Sequence, residues 1–246
     1  MLMQGITYTG KTDAGLKRKN NEDAFAISRE MGFCALADGM GGAAAGEIAS
    51  RIFVDTVTDV FSGGRSVSGD EVNSLVQNAF TSANKKILDH VLEYPEHRGM
   101  GCTAEILAFS DQGFVLGHMG DSRTYRLRGH EFKQLTKDHS LVQEQLDQGI
   151  ITKEQAQSHQ QRNIILRAVG ISQSPQLDII RGKALPGDIF LLCSDGLTDM
   201  IRDEQVLAVL VSGTEQEKMA GDLIEFAKQA GGKDNVTVVI AGISRP

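Results

Sequence analysis

Hydrophobic and polar positions change their period several times along the chain, and each change marks an element. Residues 4–12 (QGITYTGKT) alternate and read as an edge strand. After a polar, turn-rich stretch, DAFAIS (23–28) and GFCALAD (32–38) read as two strands joined at Glu30-Met31-Gly32. From Gly46 the period becomes helical, with Ile48, Ile52, Val57, Val60 and Phe61 on one face. Ser68-Gly69-Asp70-Glu71 has the spacing of a capping box. Behind it Val72, Leu75, Val76, Ala79, Phe80, Ala83, Ile87 and Val91 make the strongest helical signal in the chain.

Residues 102–109, 113–118, 123–128 and 131–135 read as consecutive short strands, with tight turns at 111–113, 120–122 and 128–130. Connections this short predict an antiparallel meander, because a parallel crossover needs about a dozen residues or more. Residues 140–162 are Gln-rich and read as a pair of short solvated helices. Strands at 177–182 and 188–193 flank Pro186-Gly187-Asp188. Thr214 to Glu217 predicts another capping box, opening a helix that Gly231-Gly232 stops. VTVVIAGI (236–243) closes the pattern as a buried strand. Strands and helices come in blocks rather than as repeated βαβ units, which predicts α+β layering. No repeat or composition break divides the chain, so 1–246 reads as one domain.

Composition narrows the function. With 41% hydrophobic and 23% charged residues the chain is an ordinary soluble globular one. Twenty-five Lys and Arg against 32 Asp and Glu leave a net charge of −7, which excludes the basic field of a nucleic-acid binder. Cys34, Cys102 and Cys193 are odd in number and each sits in an apolar stretch. They read as buried free thiols in a reducing compartment. The first residues lack a basic segment followed by an apolar one, and no apolar run approaches the roughly 18–20 residues that span a bilayer. The expectation is a cytoplasmic protein without a membrane partner.

The acids then become the candidate chemistry. Three apolar runs end in an Asp at a glycine-containing turn: FCALA-Asp38-Gly39, FVLGHMG-Asp121 and IFLLCS-Asp195-Gly196. A fourth, Asp234-Asn235, directly precedes VTVVIAGI. A single Asp-Gly is most often a hairpin turn. Converging strand ends would instead crowd carboxylates together and raise their pKa values, unless divalent cations sit between them. Oxygen donors suit Mg²⁺ or Mn²⁺, and the six His show no short metal-binding spacing, so zinc is not expected. The loop Asp13 to Asp23 contains Lys17-Arg18-Lys19 and reads either as a solvated basic loop or as a grip for an anion. The stretch Gly39 to Gly46 meets neither the dinucleotide-binding nor the Walker A spacing, so no nucleotide cofactor is expected.

Eight blocks follow one another as TDAGLKRKNNEDA (12–24), ALADGMGGAAAGEIAS (35–50), MGCTAEIL (100–107), GHMGDSRTYRL (117–127), LTKDHSLV (135–142), RNIILRAVG (162–170), LLCSDGLTD (191–199) and GGKDNVTVV (231–239). In this order they resemble the metal-dependent protein phosphatase family, protein phosphatase 2C-like, in its short bacterial Ser/Thr phosphatase type. The resemblance implies a four-layer αββα sandwich, two antiparallel β-sheets packed face to face and flanked by helices. It implies two Mn²⁺ or Mg²⁺ ions and admits a weaker third. Asp38 would bridge the pair, with the Gly39 carbonyl on one ion and Asp195 and Asp234 on the other. Asp121, with Asp195, matches the weaker site. Glu22 and Asp23 would act through bound waters, Asn235 would support them, and Arg18 would take the substrate phosphate.

The implied activity is hydrolysis of phosphoserine and phosphothreonine in proteins by a metal-bridging water, with Arg18 and Asp38 as the catalytic residues. A Ser/Thr kinase is the implied counterpart, and a monomer the implied state. Residues about 138–170 fall where the family has a flap, with Gly149 and Gly170 as hinges. One departure stands out: Met40 occupies the place of a His often proposed as general acid. A metal-bound water, His118 and His139 remain as sources of the proton. The rival reading is a pseudophosphatase that binds phosphoproteins as a regulatory module.

Overall fold

Strand side chains alternate between two faces, and here both faces are apolar, which a sheet covered on both sides requires. The computed structural model describes residues 5–41, 45–63, 68–157 and 159–244, so most of the glycine-rich run after Gly41 lies outside the described residues. In chain order the strands are β1 (Ile6–Asp13), β2 (Asp23–Ser28), β3 (Phe33–Met40), β4 (Gly101–Cys102), β5 (Ala104–Ser110), β6 (Gly113–Met119), β7 (Arg123–Arg128), β8 (Glu131–Gln134), β9 (Asp178–Gly182), β10 (Ile189–Cys193) and β11 (Val236–Ile243). The helices are α1 (Gly46–Phe61), α2 (Gly69–Glu93), α3 (Leu141–Asp147), α4 (Lys153–Gln157), α5 (Asp195–Thr198), α6 (Asp203–Leu210) and α7 (Gln216–Gln229).

One sheet runs β1-β11-β10-β7-β8 and the other β2-β3-β5-β6-β9, with β4 paired to β3; every pairing is antiparallel. Between the sheets lie Tyr8, Cys34, Leu36, Leu107, Phe109, Phe114, Leu116, Phe190, Leu192, Val239 and Ala241. The alternate positions Phe33, Ala35, Ala37 and Ile106 pack outward against α1 and α2. On the other side Leu191, Cys193, Val236, Val238 and Ile240 pack against α5, α6 and α7. The four-layer αββα arrangement expected from the sequence is therefore the one found. Among the described residues no helix is long and apolar enough to cross a membrane.

The predicted meander does not form as one sheet. β5 with β6 and β7 with β8 are hairpins, but β6 and β7 belong to opposite sheets. Gly120-Asp121-Ser122 is thus a corner between sheets. A short connection reads like a hairpin in sequence whether or not its strands pair. The same applies to 183–188, since β9 pairs with β6 while β10 lies between β7 and β11. Ser68 caps α2 as expected, accepting from Glu71 N at 3.2 Å. Thr214 does not cap α7: Glu215 is the N-cap residue, and the Thr214 hydroxyl bonds Ser212 Oγ at 2.9 Å instead.

Phe190 is fully buried between the sheets, its ring centre 5.5 Å from that of Phe109 and 5.1 Å from that of Phe114. Phe190→Ala should cost about 3–5 kcal/mol, the range for emptying a buried aromatic site. Urea unfolding checks this, and a change below about 1 kcal/mol would contradict the inter-sheet core.

Candidate active site

The same alternation that fills the inter-sheet layer delivers acids to its end. Along β2 the stripe runs Ile27, Phe25, Asp23; along β3 it runs Cys34, Leu36, Asp38. Asp23 and Asp38 are cross-strand partners, an arrangement of like charges that destabilises a sheet unless something compensates it. Asp195 opens α5 directly after β10, and Asp234 stands just before β11, the neighbour of β10. Asp121 occupies the corner between the sheets.

These carboxylates act on one another. Burial, followed by Asp23, Asp195, Asp121 and Asp234, raises the Asp38 pKa well above the ordinary carboxylate range. Burial and then Asp121, Asp199, Asp234 and Asp23 do the same to Asp195. Burial and the nearby Asp138 push Asp121 up to about 7, against the pull of Arg123. Asp23 is pushed up to about 6 by burial, although the hydroxyls of Thr237 and Ser194 favour its charged form. Asp199 also belongs to this field, and burial raises its pKa. The structure therefore brings Asp38, Asp121, Asp195 and Asp234 into one cluster and adds Asp23 and Asp199 to it.

Hydroxyls and amides hold the cluster in place. Ser194 Oγ and Thr237 Oγ1 donate to Asp23 Oδ2 at 2.8 and 2.6 Å. Thr103 takes both backbone groups of Asp38, accepting from Asp38 N at 3.0 Å and donating its own N–H to Asp38 O at 2.9 Å. Its hydroxyl also meets Ser122 Oγ at 2.7 Å, which ties Asp38 to the corner that carries Asp121. A Cβ on Gly39 would strike the carbonyl oxygens of Glu22 and Gly46, so only glycine lets β3 approach there. The Glu22 carboxylate lies against Gly46, at the start of α1, where the helix dipole favours a negative charge. Thr103, Ser122, Ser194, Thr237 and Asp199 were not singled out from the sequence. For all but Thr103 the signal is a hydroxyl or acid within a few residues of a strand-end Asp; Thr103 is far in sequence from each of them.

Asn235 organises the basic loop. Its Oδ1 accepts from Glu22 N at 2.8 Å, and its Nδ2 donates to Asn20 O at 2.8 Å and Ala14 O at 3.1 Å. Arg18, on that loop, donates to Asp234 Oδ2 at 2.6 Å. Its side chain is 52% exposed, so the guanidinium sits at the mouth of the cluster with donors left over. Of the two readings of the loop, this position favours the anion grip over a solvated basic loop.

Both histidine candidates for the general acid are occupied otherwise. His118 is fully buried, its Nδ1 paired with Glu105 and its Nε2 donating to Lys137 O at 2.9 Å. Burial lowers its pKa but Glu105 outweighs this, and the proton stays inside the pair. Burial pushes His139 down to about 4, so it carries no spare proton at neutral pH. The flap packs beside the cluster: Arg162 Nη2 lies 2.9 Å from Asp199 Oδ2, and Ser140 caps α3. Gly149 ends α3 with φ +69° and open space around it, as a hinge requires. Gly170 is not a free hinge, since its N–H is fixed to Asn84 Oδ1 at 2.8 Å and a Cβ there would collide with Ile87.

An oxygen-only donor set suits a hard divalent cation. Asp23 Oδ1, buried and without a hydrogen-bond donor, is the kind of orphaned acceptor a cation or its water would satisfy. Among the described residues no three His, Cys, Asp or Glu side chains converge on one ion-sized point, and Asp234 is paired with Arg18.

The sequence profile of the Protein phosphatase 2C family matches residues 16–227. The chain belongs to that family. This 2C-type chain is 40% identical over 97% of its length to the serine/threonine protein phosphatase PstP of Mycobacterium tuberculosis, and spans 45% of that relative. It is 38% identical to the protein phosphatase PhpP of Streptococcus pneumoniae, over 95% of this chain and 96% of the relative. The crystal structure of the Mycobacterium tuberculosis phosphatase PstP/Ppp matches with a TM-score of 0.89 at 40% identity, covering 98% of this chain and 99% of that one. A structure of the catalytic domain of PstP in complex with 2 manganese ions matches with a TM-score of 0.87 at 38% identity, covering 98% and 99%.

Raised carboxylate pKa values make the folded 2C-type domain bind more protons than the unfolded chain between about pH 4 and 7. In the metal-free protein this contribution lowers stability as pH rises through that window. His139 acts oppositely, adding stability as pH rises from about 4 towards its unfolded value. Mn²⁺ competes with protons on the acids and not on His139, so the gain in Tm on adding Mn²⁺ should grow from pH 5 to pH 8. Calorimetric melting checks this, and a gain independent of pH would contradict it.

Proposed function

We propose that this chain is a Mn²⁺- or Mg²⁺-dependent phosphoprotein phosphatase acting on phosphoserine and phosphothreonine. The observation that carries the reading is the set of opposed carboxylates at the strand ends: Asp23 is buried, Asp38 and Asp195 are half-buried, and burial together with neighbouring acids raises the pKa of each. The likeness to a serine/threonine protein phosphatase and to a protein phosphatase supports the same activity.

In this reading Asp38, the Gly39 carbonyl, Asp195 and Asp234 hold two ions, and Asp121 with Asp195 holds a weaker third. Bound there, the ions would supply a water of lowered pKa for in-line attack on phosphorus, neutralise charge on the phosphoryl oxygens and keep acidic water near the leaving oxygen. Arg18 takes two phosphate oxygens with its fork, sharing Asp234 or releasing it as substrate enters. Asp23 stays behind Asp38, its negative charge held by Ser194 and Thr237, and Asn235 keeps the Arg18 loop in register. Met40 cannot donate a proton, and the two buried histidines are already engaged, so none of these three serves as general acid. The reading includes a monomer in the cytoplasm that removes the products of a Ser/Thr kinase; the three buried free thiols suit a reducing compartment.

Hydrolysis of phosphothreonine, phosphoserine and phosphotyrosine peptides with and without Mn²⁺ tests the proposal. Phosphothreonine and phosphoserine peptides should be cleaved with Mn²⁺ and not in EDTA, and Asp38→Asn should lower kcat/KM by about 10³-fold or more. Arg18→Ala should raise KM about tenfold, and Asp121→Ala should lose turnover while keeping two tight ions. Activity persisting in EDTA would overturn the assignment, and phosphopeptide binding without turnover would leave the regulatory-module reading standing.

The flap, about 138–170, is read as a substrate-selecting lid anchored by Arg162 on Asp199. Deleting residues 145–158 should change preference among phosphopeptides more than hydrolysis of a small aryl phosphate. Equal losses on both would make the segment structural.

A further inference from the structure

The corner that carries Asp121 is gripped by a single residue from the root of the flap. His139 donates its backbone N–H to Gly120 O at 2.7 Å, and its Nδ1 accepts from Gly120 N at 3.2 Å. Both backbone polar groups of Gly120, the residue before Asp121, are therefore held by His139. Gly120 has φ +115°, and a Cβ there would collide with Thr103, the residue that bonds Asp38. The corner is thus a strained, glycine-dependent turn in need of an external hold.

The rest of His139 faces the flap. Its carbonyl accepts from Leu166 N at 2.7 Å, and its Nε2 donates to Asp178 Oδ2 at 3.2 Å. Arg167 Nη1 donates to Asp178 Oδ1, also at 3.2 Å. The ring centre lies 4.6 Å from that of His118, tilted by 32°, and His118 is itself paired with Glu105. Arg167, Asp178 and His139 line a cavity of about 550 Å³ on this side. Nδ1 therefore faces the corner, while Nε2 faces the flap side, where Asp178 Oδ2 and Arg167 Nη1 each lie 3.2 Å away.

We propose that His139 is a positioning residue: it fixes the Gly120 peptide, and through it the Asp121 carboxylate, relative to the flap stem at Leu166 and Arg167. This rests on the reading of Asp121 as a ligand of the weaker ion. A displaced flap stem would rotate the ring, release Gly120 and move Asp121, so the affinity of the weaker site would follow the flap.

The two ring nitrogens can be replaced one at a time. In His139→Asn the amide oxygen can stand in for Nδ1 and keep Gly120, while Asp178 is lost. In His139→Gln the amide reaches towards Asp178 and the Gly120 N–H loses its acceptor. Titration calorimetry with Mn²⁺ on the whole chain, alongside the Mn²⁺ dependence of kcat, reads the difference.

Expected is a five- to tenfold weaker low-affinity Mn²⁺ event in His139→Gln, with the tight events within twofold and kcat restored at high Mn²⁺. His139→Asn should stay within about twofold of the parent throughout. Asp121→Ala, run in parallel, should abolish the low-affinity event. If it does and His139→Gln matches the parent, the inference is overturned alone. An unchanged isotherm in Asp121→Ala overturns the Asp121 reading and the inference with it. Equal weakening of tight and weak events in both His139 variants would mean a general structural role and would also overturn it. Should His139→Gln fail to fold, His139→Ala, which likewise leaves the Gly120 N–H without its acceptor, should weaken the same event five- to tenfold with the tight events within twofold; an unchanged event there would overturn the proposal.

Discussion

Two aspartates facing each other across neighbouring strands are the constraint around which this molecule is arranged. Asp23 and Asp38 are direct cross-strand partners at the end of an otherwise apolar stripe, and Asp195, Asp121 and Asp234 come in from the opposite sheet and from the corner. Burial and neighbouring acids raise the pKa values of Asp23, Asp38, Asp121 and Asp195. Nothing in local propensity favours such a cluster. It persists because the sandwich behind it is rigid: aromatic rings of Phe109, Phe114 and Phe190 fill the space between the sheets.

The supports of the cluster are small and polar. Thr103, Ser122, Ser194 and Thr237 each give a hydroxyl to an acid, to the backbone of one, or to each other. Asn235 uses its side chain three times to bring the Arg18 loop against the strand ends. The site thus combines a negative floor with the Arg18 guanidinium at its mouth, an arrangement that repels a phosphate unless divalent charge is present. The net charge of −7 describes the surface poorly as a guide to the site, because bound cations would reverse the local sign.

Much of this was legible in the order of residues, for identifiable reasons. Period-2 runs that break at an Asp located Asp38, Asp195 and Asp234, and the long 3.6-period run located α2 almost to its ends. The sheet pairing across Gly120-Asp121-Ser122 was not legible, because a corner and a hairpin have the same length and the same turn residues. Thr214 was misleading for a related reason: the capping-box spacing was present, but the hydroxyl found Ser212 first. Asp23 looked peripheral as the first residue of a strand, and only the β2–β3 register puts it opposite Asp38. His139 reads from sequence only as a candidate proton source and not as a hold on the corner, since its partners, Gly120 and Asp178, lie 19 and 39 residues away.

The central claim is that the strand-end carboxylates are held together with raised pKa values and that a divalent cation takes the place of their protons. Proton release on Mn²⁺ binding measures this directly, by titration calorimetry at pH 6.5 in buffers of different ionisation enthalpy. With Asp121 near 7 and Asp38 and Asp195 well above the ordinary range, binding should expel protons, and the number should fall as the pH is raised. Tight Mn²⁺ binding at pH 6.5 with no proton released would contradict the account.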